Sequence, residues 1–385
     1  MRRPAPRRLI KWGLRAAAAV VVILFAAGWY LSGLIGCRGF EPVPKVQGIE
    51  VLSVGDGEIT LHATGEANEC EQVSDDWMED GPWGIEWDGG YGHVGEIMSL
   101  DEAGGVVVRE FMVLEGNPPA GLTTRLKHPY PVDPTRAYGI AFEEIAYETE
   151  LGTMPAWLTP GDDDTWVIFV HGKGSQRTEA MRMLKTVHAA GMSGMAINYR
   201  NDPGETADPT GKYQYGLTEW RDLEGAVGYA LDNGAEDVVL VGYSMGGGII
   251  LSFLYESPLA GSVRGVILDA PMADFGATVD FGIREFGVPG FLVQLPLVFA
   301  SVRFGIDWEG MDYVARLEEL RTPVLLLHGT EDQTVPYGIA EELAEKRPDL
   351  ISFESFAGAR HVKSWGTDTD RYEALVGEFL AEVAQ

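Results

Sequence analysis

The five residues Gly242-Tyr243-Ser244-Met245-Gly246 constrain the fold of this chain more than any other segment. The largely apolar run 237–241 precedes them, and after two further glycines the apolar run 249–251 follows. This order predicts a strand, a sharp turn and a helix, with the Ser244 hydroxyl held above the edge of a sheet by a strained backbone. Residues two before and two after the serine must nearly touch, so only glycine fits well at 242 and 246. The segment therefore predicts that Ser244 is a nucleophile.

A serine hydroxyl needs a base beside it, and that base needs an orienting carboxylate. For a serine on this kind of turn, the order along the chain is serine, acid, histidine. Asp332 follows the apolar run 323–327, at the carboxyl end of a predicted parallel strand, where functional groups of such sheets lie. His361 is the only histidine after Asp332, and it follows a predicted strand at 350–354. The pattern predicts Ser244, Asp332 and His361 as the catalytic residues.

Two acidic residues compete with Asp332 for the role of orienting carboxylate. Asp269 and Asp274 follow an earlier predicted strand. Asp269 lies against the end of that strand, immediately before Ala270 and a proline, which favours a structural role. Two other histidines, His171 and His328, have the wrong position in the chain order, and we interpret them as buried side chains that pack their turns.

The negative charge that develops during acyl transfer needs two backbone N–H donors. One donor is the residue after the nucleophile, Met245. The second comes from the loop after an earlier strand, and the apolar run 166–170 leads directly into such a loop. We predict that the second donor is the N–H of Lys173, with Gly172 as the alternative. The Lys173 side chain either attracts a carboxylate or phosphate of the substrate or points to solvent.

Four segments, taken in this order, resemble the α/β-hydrolase superfamily: HGKG at 171–174, GYSMG at 242–246, HGTEDQTVP at 328–336 and GARH at 358–361. The resemblance covers residues 139–385. It implies an α/β-hydrolase fold, with a mostly parallel central sheet flanked by helices. Within the superfamily the chain is similar to uncharacterised membrane-anchored hydrolases of actinobacterial type, and to the lysophospholipase and monoacylglycerol lipase branch. The lysine in HGKG is a departure, because many lipases have glycine there.

Charge and cysteine content narrow the classes of partner. The net charge is −29, and the first 38 residues carry seven basic and no acidic side chains, so the rest carries −36. Such a charge repels nucleic acid and anionic surfaces, and it reflects either a well-solvated surface or a salty, extracytoplasmic setting. The two cysteines, Cys37 and Cys70, exclude a disulfide framework but leave one bridge open. Without a Cys/His cluster or a phosphate-binding glycine loop, we expect no metal and no cofactor.

The N-terminal region has the composition of a membrane segment. Residues 16–35 are an uncharged run of 20, long enough to span a bilayer as a helix. Six basic residues lie within residues 1–15 and Arg38 follows, so the positive-inside rule places the N-terminus in the cytoplasm and the hydrolase outside. We therefore expect a single-pass protein of the cell membrane. The alternatives are a lipoprotein anchored at Cys37, which lies in a Leu34-Ile35-Gly36-Cys37 sequence, and a secreted protein with a cleaved signal.

These patterns divide the chain into a basic cytoplasmic segment (1–15), a transmembrane signal-anchor (16–35), a linker (36–48), a β-rich N-terminal extension (49–137) and the catalytic domain (138–385). In the extension, runs 49–54 and 58–64 predict a β-hairpin. The extension is either a small subdomain or a set of added edge strands. Residues 272–320 are apolar and lie where the superfamily carries lids. They are either a lid that lines an acyl pocket or ordinary helices that cover the sheet.

Together these observations predict a serine hydrolase that cleaves carboxylic esters, of the esterase, lipase or lysophospholipase type. A serine peptidase similar to the prolyl oligopeptidase group is one alternative, although residues 49–137 are too few for the propeller of that group. A non-catalytic surface binding protein is another, and the complete set of Ser244, Asp332 and His361 argues against it. The expected partners are a small-molecule or lipid ester and, through residues 16–35, the membrane. Nucleic acid is not an expected partner.

Overall fold

Three parts follow one another in the computed structural model: a long N-terminal helix, an antiparallel sheet, and a larger mixed sheet flanked by helices. The structure describes residues 6–42, 48–64, 70, 75–79, 81–119, 121–127, 129–130, 133–285 and 287–384. The predictions for residues 1–5, for residues 43–47 of the linker and for residue 286 of the apolar segment lie outside these ranges.

Within these ranges the strands are β1 (Ile49–Gly55), β2 (Glu58–Ala63), β3 (Trp83–Trp87), β4 (Gly90–Asp101), β5 (Val106–Glu115), β6 (Thr123–Thr124), β7 (Glu143–Thr149), β8 (Gly152–Thr159), β9 (Thr165–Val170), β10 (Ser193–Ile197), β11 (Asp237–Tyr243), β12 (Val263–Asp269), β13 (Val324–Gly329) and β14 (Ile351–Phe356). The α-helices are α1 (Pro6–Leu34), α2 (Pro134–Tyr138), α3 (Met181–Ala189), α4 (Trp220–Asp232), α5 (Met245–Glu256), α6 (Phe275–Glu285), α7 (Gln294–Phe304), α8 (Tyr337–Lys346), α9 (Ser364–Thr367) and α10 (Thr369–Val383).

The larger sheet has the strand order β14-β13-β12-β11-β9-β10-β8-β7. The six strands from β14 to β10 are parallel, and β8 and β7 add an antiparallel edge. Strands β9, β11 and β13 are apolar and buried on both faces, as strands covered by helices on both sides must be. Helices α4, α5 and α8 pack on one face, and α3 and α10 pack on the other. The predicted α/β architecture is confirmed, and all parallel strands end at one edge.

The N-terminal extension contains a sheet of its own, with the order β3-β4-β5-β2-β1-β6. The predicted hairpin is present as β1 and β2, which pair in an antiparallel manner. Strands β3 and β4 were not predicted, because glycine and acidic residues are rare in strands and segment 65–105 is rich in both. Packing explains one of these glycines. A β-carbon at Gly92 would lie 2.4 Å from the Phe111 ring on β5, so only glycine leaves room for that ring. The extension is therefore a separate sheet and not an addition to the catalytic one.

Helix α1 continues into a helical turn, Ile35–Phe40, that enters the catalytic domain. Phe40 is only 2% exposed, and its ring packs edge-on against the rings of Tyr215 and Phe275. Cys37 forms a disulfide with Cys70. The described part of the predicted linker 36–48 is thus not a loose tether, because its first five residues are held by a buried aromatic ring and a covalent bond.

A buried arginine organises the smaller sheet. Arg109 on β5 is fully buried. Its guanidinium donates hydrogen bonds to the carbonyl oxygens of Gly95 (2.9 Å), Glu79 (2.7 Å) and Gly81 (3.2 Å). These contacts tie the loop before β3 to the sheet. The buried guanidinium needs acceptors, and these carbonyl groups supply them.

Replacing Arg109 by Met should lower the free energy of unfolding by about 2–4 kcal/mol, because three charge-assisted hydrogen bonds that tie the loop before β3 to the sheet are lost. Urea denaturation followed by tryptophan fluorescence measures this, since Trp77, Trp83 and Trp87 lie in the core of this sheet. The matched control is Arg284→Met, at a surface arginine that pairs with Asp280, and it should leave the free energy of unfolding unchanged. Equal effects of the two substitutions would contradict a structural role for Arg109.

Candidate active site

Ser244 lies at the turn between β11 and α5, with φ 49° and ψ −116°. This left-handed conformation is rare for a residue with a β-carbon and projects the side chain above the sheet edge. The flanking glycines permit the close approach that the turn requires. A β-carbon at Gly246 would lie 2.1 Å from the Val170 carbonyl oxygen, and one at Gly242 would lie 2.8 Å from the Gly247 nitrogen. The backbone geometry predicted for this motif is therefore present.

The three residues predicted as catalytic meet at the carboxyl edge of the larger sheet. Asp332 lies in the loop after β13, and His361 lies in the loop after β14. The Nε2 atom of His361 is 2.9 Å from the Ser244 Oγ atom, and its Nδ1 atom is 2.7 Å from the Asp332 Oδ2 atom. Because a carboxylate only accepts, Nδ1 carries the proton, and Nε2 is left to accept from the serine hydroxyl. The three side chains form one continuous chain of hydrogen bonds.

The Asp332 carboxylate is held by groups on both of its oxygens. Its Oδ1 atom accepts hydrogen bonds from the backbone N–H groups of Thr334 (2.8 Å) and Val335 (2.9 Å). Burial on its own raises the pKa of this carboxyl, but hydrogen bonds from His328 and His361 outweigh burial and hold the pKa well below its usual range. Asp332 is therefore ionised at neutral pH, as an acid that orients an imidazole must be.

His328 has a position that its sequence context did not reveal. We interpreted it as a side chain that packs its turn, and it is indeed fully buried. Its Nε2 atom, however, lies 3.1 Å from the Asp332 Oδ2 atom and 3.1 Å from the Val335 carbonyl oxygen. Two histidines thus contact the same Oδ2 atom of Asp332. The four-residue spacing of His328 and Asp332 is the only signal in the sequence, and on a loop such a spacing does not predict a contact.

The predicted oxyanion donors lie at the same edge of the sheet. Met245 is the first residue of α5, where a backbone N–H has no acceptor within the helix. Gly172 is next to Ser244, since a β-carbon there would lie 3.2 Å from the Ser244 Cβ atom, but its N–H donates to the Glu179 carboxylate at 2.7 Å. Gly172, our alternative to Lys173, is therefore already engaged. The Lys173 ammonium group donates to the carbonyl oxygen of Arg38. The sequence predicts that this side chain either attracts a substrate anion or points to solvent, and it does not indicate a backbone partner.

The rival acids have structural partners in place of His361. Asp274 caps helix α6, accepting a hydrogen bond from the Ala277 N–H at 2.8 Å. Asp269 is fully buried and accepts a hydrogen bond from the Tyr372 hydroxyl at 2.9 Å. His171 is also buried, and its Nε2 atom lies 2.8 Å from the Asp202 carboxylate. Among the residues that the structure describes, no group of three or more His, Cys, Asp or Glu side chains is arranged to hold a metal ion.

A cavity of about 430 Å³ adjoins the loop that carries His361. Its walls come from the extension and from the catalytic domain, and include Trp83 and Pro129 of the former and Arg360, Val362 and Trp365 of the latter. Ser244 is not among its lining residues. The cavity therefore adjoins the His361 loop but is not lined by Ser244.

Comparison with known proteins identifies the family. A model of the alpha/beta hydrolase family matches residues 167–377, which is more than half of the chain. The chain belongs to this family, and the resemblance seen in the four sequence segments is confirmed.

Relatives of known sequence are distant. The uncharacterized protein YqkD of Bacillus subtilis is 23% identical over 227 residues, which cover 58% of this chain and 73% of YqkD. Protein ABHD12B of Homo sapiens is 25% identical over 199 residues, which cover 48% of this chain and half of ABHD12B. The esterase Pf2001 of Pyrococcus furiosus has a similar structure, with a TM-score of 0.51 and 20% identity over 63% of this chain and 92% of the esterase. At this identity the likeness concerns the fold alone.

Replacing Asp269 by Asn should change how stability depends on pH. Burial raises the pKa of Asp269 from 3.8 to about 6, against the opposing effects of Arg182 and of the hydrogen bond from Tyr372. Between these two values the folded state binds more protons than the unfolded state, so this group makes the protein less stable as the pH rises through that window.

The Asn variant lacks this titration. Relative to the wild type, it should therefore gain up to about 3 kcal/mol of unfolding free energy between pH 4 and pH 8. Urea unfolding of both proteins at the two pH values measures the difference. A difference that stays constant across this range would show that Asp269 does not titrate there.

Proposed function

We propose that this chain is a serine hydrolase that cleaves carboxylic esters through Ser244, His361 and Asp332. The observation that carries the proposal is the hydrogen-bond chain from the Ser244 hydroxyl through both His361 nitrogens to an ionised carboxylate. A hydrogen bond between serine and histidine does not by itself require a strained backbone at the serine. A serine that attacks a substrate gains from such a backbone, because it exposes the hydroxyl.

The proposed reaction has two halves. In the first, His361 Nε2 takes the proton of the Ser244 hydroxyl while Oγ attacks the ester carbonyl carbon, and the carbonyl oxygen becomes an oxyanion beside the N–H groups of Met245 and Lys173. The C–O bond to the alcohol then breaks, and the alcohol leaves with the proton from Nε2. In the second half, His361 takes a proton from water, the resulting hydroxide attacks the acyl-enzyme, and Ser244 regains its proton as the acid is released.

Asp332 supports both halves by holding His361 in the reactive tautomer and stabilising the imidazolium that forms transiently. The two backbone N–H groups fix this carboxylate at Oδ1, and His328 contacts the same Oδ2 atom that His361 binds. We infer that His328 is a positioning residue, since it contacts Asp332 and not the reacting atoms.

Apolar surroundings favour an ester with an apolar acyl group. The Met272 N–H donates to the Ser244 carbonyl oxygen at 2.8 Å, so segment 272–320 begins at the nucleophile itself. Three residues later, the Phe275 ring stacks on Tyr215 and lies near Trp308. Apolar rings this close to the nucleophile along the chain suit acyl chains better than the polar backbone of a peptide. We propose that segment 272–320 serves as the lid anticipated from the sequence, with its buried side chains, and not its exposed ones, toward the substrate.

We further propose that α1 anchors the protein in the cell membrane, with the catalytic domain outside. Residues Leu14–Phe40 form the one helix, among those the structure describes, that is long and apolar enough to cross a membrane. The basic residues before it orient its N-terminus toward the cytoplasm. The disulfide of Cys37 is typical of an oxidising compartment, and it engages the sulfur atom that a lipoprotein would attach to lipid.

Labelling with a fluorophosphonate probe tests the nucleophile directly. The wild type should be labelled, and Ser244→Ala and His361→Ala should lose labelling because they remove the nucleophile or its base. Asp332→Asn should lower kcat for p-nitrophenyl esters by about 10⁴-fold, since the amide holds the wrong imidazole tautomer. Asp269→Asn is the matched control and should keep wild-type labelling and turnover.

The outcomes separate the functions considered. Ester cleavage that persists in Ser244→Ala would refute the mechanism, and loss of activity in Asp269→Asn with retention in Asp332→Asn would transfer the acid role to Asp269. Faster turnover of dipeptide amides than of esters would favour the peptidase. Folded wild-type protein that neither reacts with the probe nor cleaves esters would favour a binding protein.

A further inference from the structure

The outward face of α7 is mostly apolar although it lies on the surface of the protein, with Gln294 as an exposed polar residue at its N-terminal end. Phe291, in the short helical turn before α7, is 83% exposed, and Val298 and Val302 are 57% and 80% exposed. Their spacings of seven and four residues place all three on one side of the helix. We call these three residues the α7 apolar surface. Large side chains exposed in a row in this way are a mark of an interaction site.

Helix α1 packs against the adjacent side of α7. The Phe25 ring contacts the Phe299 ring edge-on, with centroids 4.9 Å apart. Gly28 allows the closest approach, because a β-carbon there would lie 2.8 Å from the Phe299 ring and 2.9 Å from the Leu295 side chain. Leu295 also lies on the line from Phe291 to Val298, so the α7 apolar surface continues into α1. The neighbouring part of α1 also exposes apolar side chains, namely Val20, Val21, Val22, Ile23 and Phe25.

The length of α1 determines the depth of this contact. A helix needs about 20 residues to cross the hydrocarbon layer, and residues 16–35 supply that number without a charge. Phe25 contacts α7 at a position ten residues before the end of segment 16–35. Ten helical residues span about 15 Å, which is half of a hydrocarbon layer of about 30 Å. If α1 spans the membrane, α7 therefore lies beside it within the leaflet on the catalytic side.

The polar groups between α1 and α7 lie near the C-terminal ends of both helices, which is the end nearer to the membrane surface. The Arg303 guanidinium donates hydrogen bonds to the Trp29 carbonyl oxygen (2.5 Å) and to the Ser32 hydroxyl (2.6 Å), and it lies 4.0 Å from the Trp29 ring centroid. Arginine and tryptophan are the residues that membrane proteins place at the level of the lipid head groups. The Leu295 and Phe299 contacts with α1 lie deeper than this pair.

We propose that α7 is inserted in the leaflet on the catalytic side, with the α7 apolar surface against the acyl chains, and that this brings the catalytic centre to ester lipids of that leaflet. The proposal rests on the proposed membrane anchor and ester hydrolysis. The Lys173 side chain, on the loop proposed to supply an oxyanion donor, is bonded to the Arg38 carbonyl, three residues beyond the end of segment 16–35. The reactive centre is thus held at the membrane surface. A second copy of the chain would also cover the surface, but at this depth lipid is the surrounding medium.

Lipid quenching of site-specific labels tests the insertion. The full chain is reconstituted without reductant in phosphatidylcholine vesicles, and bimane is attached to single cysteines introduced as Val298→Cys or Val302→Cys. Val21→Cys on α1, 64% exposed, is the membrane reference, and Met98→Cys on the smaller sheet, 53% exposed, is the aqueous control. Phosphatidylcholine with a doxyl group on carbon 5 of the acyl chain should quench both α7 labels as it does the label at 21, and several-fold more than the label at 98.

Three results would overturn the proposal. Labels on α7 that behave like the label at 98, while the label at 21 is quenched, would place α7 in water. Labels on α7 that are shielded both from doxyl lipid and from aqueous iodide would indicate a second copy of the chain. An unquenched label at 21 would refute the membrane anchor, and the inserted position of α7 would be refuted with it.

Delivery of lipid is tested with a triple variant, Phe291→Ser/Val298→Asn/Val302→Asn. It should hydrolyse an ester lipid embedded in vesicles about tenfold more slowly than the wild type, with hydrolysis of soluble p-nitrophenyl acetate unchanged. The matched control, Met98→Thr/Leu100→Thr/Met112→Thr, changes exposed apolar residues of the smaller sheet and should alter neither rate. Equal loss on both substrates, or no loss on either, would overturn the delivery of lipid by α7.

The failure of this inference differs from the failure of the proposed function. Wild-type protein that does not cleave the soluble ester would refute ester hydrolysis, whereas the quenching measurement does not depend on activity. Quenching of the labels at 298 and 302 in a protein that does not cleave esters would therefore support the insertion of α7 and refute ester hydrolysis.

Discussion

The close approach of the β11–α5 turn to the end of β9 is the constraint on which the rest of this structure depends. At Gly246 the distance to the Val170 carbonyl leaves no space for a side chain, so the two strands must be neighbours and the turn must be tight. The left-handed Ser244 is the cost of that turn. Because the neighbouring strands are parallel, their loops gather at one edge. The loops after β13 and β14 therefore bring Asp332 and His361 to a serine that is distant in the sequence.

The catalytic centre and the N-terminal helix form one unit. The turn Ile35–Phe40 inserts an aromatic ring among Tyr215 and Phe275, and the Lys173 side chain binds the backbone of the same turn. The disulfide of Cys37 ties this turn to the extension. A flexible tether would not need buried contacts. These contacts instead fix the orientation of the candidate active site relative to α1, as the proposed hydrolysis of membrane lipids requires.

Much of the fold and of the candidate site was predictable, because the signals are local. The apolar runs that became β9, β11 and β13 are continuous, and the G-x-S-x-G motif requires its strand and helix. Strands β3 and β4 were not predictable, since their glycines make room for rings on a neighbouring strand. The second histidine on Asp332 was not predictable either, because the contact depends on how the loop after β13 folds back. The pairing of Cys37 with Cys70 remained open for the same reason.

The sequence by itself determined the family, the parallel sheet and the identity and order of the three residues proposed to be catalytic, because each follows from a short segment whose backbone has few alternatives. It also determined that an uncharged segment of membrane length precedes them. Only the tertiary structure decided that this segment packs on α7, that the apolar residues of α7 face outward, and that Lys173 binds Arg38. These contacts join residues up to about 270 positions apart, and such distances depend on how whole elements pack and not on any local pattern.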